Sequence, residues 1–196
     1  NKWANLLTNK LKEAYPDFVI PLRKFHFVNT IDVDSAYSFK QKGVFRNVGG
    51  FIRDIFKQDY EGVKMRAMVM LNRRKDPFDT FDFIISLSEK YHTELLFFIL
   101  FADYDNYDKN ISHNSLNFQQ LIKHLADYSK VGIHPSYASM DQPNKLTVEI
   151  KRLSKVLHKP IVRSRFHFLR FQLPMSYNNL IKNNIDSDFS MGYSNE

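Results

Sequence analysis

The side chains able to do chemistry fall where short apolar runs stop. "TIDVD" (30–34) closes one run with Asp32 and Asp34, two positions apart. In an extended chain that spacing puts both carboxylates on one face. Carboxylates that close repel unless a cation lies between them or one takes up a proton. A hard metal bound by one, with the other acting as base, satisfies both conditions; capping of backbone amides at a loop start is the alternative. "VGIHPSYASM" (131–140) closes a second run on His134, just ahead of a proline that stops a strand. Such a histidine is either a hydrogen-bonded structural group or a ligand, and its strand-end position, shared with Asp32 and Asp34, favours the ligand. "RSRFHF" (163–168) adds Arg163, Arg165 and His167, which share parity and point the same way if the strand stays extended that far. An arginine beside a carboxylate lowers its pKa and fixes its orientation. His167 could donate, accept or bind metal, and phosphate or surface binding by a basic strand is the other reading of this stretch. Asp103, Asp105 and Asp108 in "DYDNYDKN" lack the glycine and glutamate of an EF-hand and read as a solvated loop.

The elements that must position these groups alternate. Helical spacing of Trp3, Leu6, Leu7 and Leu11 predicts a helix over 2–14, ended by Pro16. "KFHFVNTID" (24–32) reads as a strand, 33–48 as a long loop, and "VGGFIRDIFKQ" and "EGVKMRAMVML" as helices. A turn at Asp76-Pro77 precedes a helix ending near His92, with Asp79 or Thr80 as its N-cap. "ELLFFILFA" (94–102) has the continuous apolar character of a strand buried on both faces. Ser115 caps a predicted helix over 116–130, followed by a strand at 131–134 and a helix at 145–157. "PIVRSRF" (160–166) reads as a strand, "LPMSYNNLIKNN" as a helix and "DSDFSMGY" as the start of a further strand. Repeated strand–helix units argue for an α/β fold with a parallel sheet, either a barrel or a doubly wound sheet. In a barrel, reactive side chains gather where the strands end.

Bulk properties narrow the function classes. The chain has 196 residues, 43% hydrophobic and 15% aromatic, which is enough for a substantial core and one main domain. No run approaches the roughly 18 apolar residues of a membrane span. The first residues lack the apolar segment and cleavage site of a signal peptide; without an initiator Met they are also compatible with an excised domain. The absence of cysteine excludes disulfides and thiolate metal sites, leaving His and carboxylates as ligands, and fits a cytoplasmic location. The net charge of +7 is scattered, densest at "NRRK" (72–75), with no nucleic-acid motif, so a solvated basic surface is expected and a nucleic-acid partner is not.

Five segments together resemble the polysaccharide deacetylases, the NodB-homology group of carbohydrate esterases, in a divergent form of the kind found in bacterial surface-polysaccharide gene neighbourhoods. They are "TIDVDSAY" (30–37), "DPFDTFD" (76–82), "GIHPSYAS" (132–139), "SRFHFLRF" (164–171) and "DFSMGY" (188–193). The resemblance implies a distorted (β/α) barrel over 24–196, with 1–23 as an N-terminal helical cover or the tail of a preceding region. It implies a divalent metal, zinc foremost, and removal of acetyl groups from N- or O-acetylated sugars of a bacterial polysaccharide. Asp32 would be the base and Asp34 a metal ligand, although the family's two aspartates are adjacent and here Val33 separates them. His134 matches the first histidine of the second motif, but Ala138 stands where its partner belongs. Ser136, Ser139 or His167 could replace that partner, and His167 is chemically the best. Arg165 would orient the base. The family's later strands, with a histidine acting as general acid, are expected beyond Glu196, making this a partial or abbreviated barrel. Two rivals stand beside this reading: a glycan-binding or scaffold domain that does not cleave, and a phosphoesterase drawing on the basic charge.

Overall fold

The computed structural model describes residues 2–17, 19 and 25–192. Five parallel strands lie side by side in sequence order: β1 (Val28–Val33), β2 (Glu94–Ile99), β3 (Lys130–Ile133), β4 (Arg163–Ser164) and β5 (Ser187–Asp188). The sheet curls into a half-barrel. Seven α-helices accompany it among the described residues: α1 (Lys2–Ala14), α2 (Val44–Phe56), α3 (Tyr60–Met70), α4 (Phe81–Lys90), α5 (Leu116–Tyr128), α6 (Pro143–Leu157) and α7 (Met175–Lys182). The domain boundary expected between 23 and 24 lies outside the described residues. Helix α1 forms where its spacing predicts, and none of its residues is buried.

β2 explains how the sheet is held. Leu95, Phe97, Ile99 and Phe101 belong to the core shared with α4, α5 and α6, where Phe81, Phe118, Ile122 and Leu153 pack. Leu96, Phe98 and Leu100 alternate with them and are also buried, on the concave side. Ser115 accepts a hydrogen bond from the Phe118 amide and so starts α5 as its sequence predicts. At α4, Thr80 takes the N-cap position without a side-chain bond. The anchoring there comes from Asp76, whose carboxylate accepts the amides of Ser38, Phe39, Lys40 and Phe78.

The predicted long loop at 33–48 is shorter than expected, because α2 already begins at Val44. This helix pairs with α3 around a buried ion pair, Arg66 Nη2 to Asp54 Oδ2 at 2.7 Å, with Asn47 Oδ1 accepting a further bond from Arg66. A Cβ at Gly50 would come within 2.5 Å of the Arg66 guanidinium, so glycine is what lets the arginine lie flat against α2. The strand expected over 160–166 is paired only at Arg163 and Ser164, because its neighbour β5 is itself two residues long.

A candidate metal and acid–base centre

Parallel register aligns one row across all five strands: Val33, Ile99, Ile133, Ser164 and Asp188. Backbone bonds carry the ladder one step further, from Leu100 N to Val33 O, His134 N to Ile99 O, Arg165 N to Ile133 O and Phe189 N to Ser164 O. Asp34, His134 and Arg165 therefore leave the sheet on the same row, at its C-terminal edge. One more backbone bond, His167 N to Pro135 O at 3.1 Å, draws the chain after β4 alongside the chain after β3. The two imidazole rings end 5.0 Å apart.

The extended parity expected for Arg163, Arg165 and His167 does not persist. His167–Leu169 form a 3-10 turn in which Phe168 and Leu169 have φ of 57° and 51°. His167 reaches the site through that turn and its bond to Pro135, while Arg163 stays at the start of β4, in register with Ser187.

Asp34, His134 and His167 each bring one potential ligand atom to a common point, all within 4.8 Å of one another. His134 Nε2 lies 3.2 Å and His167 Nε2 3.7 Å from Asp34 Oδ1. Tetrahedral zinc with bonds of about 2.1 Å keeps its ligand atoms about 3.4 Å apart, so these two separations match. The other ring nitrogens are committed. His134 Nδ1–H donates to the Arg165 carbonyl at 2.5 Å, and His167 Nδ1–H donates to Asp108 Oδ1 at 2.8 Å. In the neutral rings both Nε2 atoms then carry lone pairs facing a carboxylate oxygen, an arrangement that repels until a proton or a cation lies between them. The donor set and the outward hydrogen bonds are those of histidines that hold a metal. When His134 Nε2 carries a proton, its hydrogen bond to Asp34 holds that carboxyl below the usual carboxylate range; burial opposes this, and the charges of protonated His134 and His167 reinforce it.

Asp32 stands apart from this trio, held by Arg165. The guanidinium donates from Nη1 to Asp32 Oδ1 (3.1 Å), from Nη2 to Thr30 Oγ1 (2.8 Å) and from Nε to the Phe189 carbonyl (3.2 Å). It lies 4.9 Å over the Phe98 ring, on the concave face. Thr30 and Asp32 share that face by strand alternation. Gly132 makes room for Phe98, since a Cβ there would sit 2.8 Å from both the ring and the Arg163 carbonyl.

The serines weighed as replacement ligands are engaged elsewhere. Ser136 donates from its amide and hydroxyl to Glu149, and the Ser139 hydroxyl donates to the Ser136 carbonyl. Glu149 is a buried carboxylate on α6; burial raises its pKa, the Ser136 bonds oppose the rise, and the Asp108 charge adds to it. The reading of 103–108 as a solvated loop fails at Asp108, which is 1% exposed and also accepts the Tyr137 amide at 3.1 Å. Asp103 instead pairs with Arg152 and His113 near the surface.

No family model and no curated protein matches the sequence. Solved structures do. A Mycobacterium smegmatis protein proposed to be a polysaccharide deacetylase aligns over 87% of this chain and 53% of its own, at 14% identity and a TM-score of 0.51. A mutant of the CE4-family pseudoenzyme BA3943, with restored activity, aligns over 57% of this chain and 39% of its own, at 12% identity and a TM-score of 0.43. The chain thus spans about half the length of the Mycobacterium smegmatis protein. At these identities the likeness is one of fold: the chain has a polysaccharide deacetylase-type fold in divergent form, a half-barrel of five parallel strands. Among the described residues no helix is long and apolar enough to cross a membrane.

Proposed function

We propose that the protein is a metal-dependent hydrolase that removes acetyl groups from N- or O-acetylated sugars of a bacterial polysaccharide, with 24–196 as its deacetylase-like domain. One observation carries this reading: two imidazoles donate their Nδ1 hydrogens outward and turn Nε2 toward Asp34, beside a second aspartate gripped by an arginine. Asp34, His134 and His167 would hold a divalent cation, zinc foremost in view of the two imidazoles and one carboxylate. Such an ion, when bound, polarises an acyl oxygen and acidifies water. The chain's own groups supply the rest. Asp32, about one-third exposed, is the base that takes a proton from the attacking water. Arg165 fixes the direction of that carboxylate. His134 stays in its Nδ1–H form because a carbonyl can only accept.

The test has two parts. Purified protein should contain or take up one zinc per chain, and should release acetate from N-acetylated oligosaccharides. Asp32→Asn should abolish acetate release and leave zinc stoichiometry unchanged. Zinc uptake with glycan binding but no acetate release would favour a non-cleaving glycan-binding domain. Release of phosphate rather than acetate would favour a phosphoesterase.

A further inference from the structure

We propose that Asp108 is a positioning residue of this site, holding His167 in the tautomer and orientation that turn its Nε2 toward Asp34. The inference rests on the metal-centred reading above and extends it to a loop that sequence patterns leave out.

The two histidines are supported differently. His134 follows directly on β3, and its partner is the main-chain carbonyl of Arg165, on the same row of the neighbouring chain. His167 lies in a 3-10 turn whose next two residues are left-handed, so no ladder carbonyl is placed to orient its ring. Asp108 fills that role from the loop after β2, with Oδ1 2.8 Å from His167 Nδ1. The carboxylate is itself fixed, because the Tyr137 amide lies 3.1 Å from Oδ1 and 3.2 Å from Oδ2. One carboxylate thereby joins the chain ends following β2, β3 and β4.

Charge points the same way. Asp108 is almost wholly buried, and among the described residues its only ion-pair partner is His167, with no Lys or Arg beside it. A buried carboxylate needs donors or a positive charge to offset its lost hydration. The groups that face it are the Tyr137 amide and the His167 imidazole. A carboxylate hydrogen-bonded behind a histidine also makes that histidine a stronger donor to metal. Position 138, in the chain after β3, offers only an alanine methyl group, and the ligand drawn instead from the chain after β4 comes with its own acceptor.

Zinc affinity, measured on the full chain by competition with a chromophoric chelator, tests this. Asp108→Asn keeps the shape and one acceptor oxygen but removes the charge. It should weaken zinc binding by about 10–100-fold and alter the visible spectrum of the cobalt-substituted protein. In the double variant with His167→Ala, the asparagine should add little further loss, because both changes act through one ligand. Wild-type affinity in Asp108→Asn, or losses that simply add, would overturn the proposal. Should the wild type take up no zinc, the metal-centred reading fails and this inference with it. If Asp108→Asn does not fold, imidazole nitrogen shifts of the wild type decide the matter. They should show His167 protonated at Nδ1 alone, and a neutral ring protonated at Nε2 overturns the assignment.

Discussion

Asp76 should be among the residues most costly to replace, although it does no chemistry. Its carboxylate Oδ1 accepts the Ser38 amide at 2.7 Å and the Phe78 amide at 3.1 Å; Oδ2 accepts those of Phe39 at 2.9 Å and Lys40 at 3.1 Å. The residue is 3% exposed, so water cannot replace these bonds. Through them Asp76 fixes the turn that follows Asp34. Asp76→Asn keeps one oxygen and two amides, while the other two amides face an NH2 group that cannot accept. Each orphaned buried donor costs about 1–3 kcal/mol, so the sum is roughly 2–6 kcal/mol. With a urea slope of about 2 kcal/mol per M, the unfolding midpoint should drop by at least ~1 M. The pH dependence supplies an independent check. Burial pushes the Asp76 carboxyl up, but the four amides outweigh it and hold it below the ordinary aspartate range. A depressed folded pKa means this stabilisation is complete above the unfolded-state pKa and is lost as pH falls through the folded one. The asparagine variant should therefore lose part of the acid limb of the stability curve. A variant whose midpoint lies within ~0.3 M of wild type at pH 7, with an unchanged acid limb, would refute this account of the turn.

Three further outcomes are expected. Gly132→Ala should cost about 1–3 kcal/mol in urea unfolding, because its methyl group meets the Arg163 carbonyl as well as the buried Phe98 ring; a variant as stable as wild type would mean the sheet gives way there freely. Asp54→Ala leaves Arg66 buried with only Asn47 as side-chain hydrogen-bond partner among the described residues and should cost about 3–5 kcal/mol, whereas loss of only a few tenths in thermal or urea unfolding would show that the pair is solvated. Glu149→Gln should fold normally and be at least as stable as wild type near pH 8. Because the folded pKa of Glu149 is raised, the wild type loses stability as pH rises from the ordinary glutamate value through the folded one. The glutamine variant should lack that decline, and an identical pH profile in the two proteins would contradict it.

What the sequence made legible follows the strength of local periodicity. β2 and α5 were readable from an unbroken apolar run and a capping serine, because both features act within a few residues. The length of β4 was not, since it depends on a partner strand that pairs over only two residues. The strand-end rule picked Asp32, Asp34, His134 and Arg165, and one step of ladder register brings the last three to a single row. The same rule, applied to the chain leaving β2, would have reached the segment that holds Asp108. Its aspartates lack the glycine and glutamate of a calcium loop, and nothing in their spacing marks Asp108 as the buried one. Glu149 carried a plainer signal: it occupies the stripe of Leu146, Ile150 and Leu153 on α6, where a charge has no place unless something beneath it needs an acceptor.

His167 comes to the candidate centre by a different geometry from the one that nominated it. Strand parity nominated it, yet parity ends at Arg165, and the backbone turns before the histidine is reached. Two long-range bonds bring it to the site, its amide to Pro135 and its ring to Asp108. Neither has a signature in the residues next to His167, because both partners belong to other strand–helix units. The Ala138 position looks like a lost ligand only while the second motif is read alone. Once the chain after β4 is laid beside the chain after β3, an imidazole from the first can face Asp34 together with one from the second. The centre then depends on contacts between successive loops more than on any single motif, which is why a substitution at Asp108 should disturb it as directly as one at a ligand.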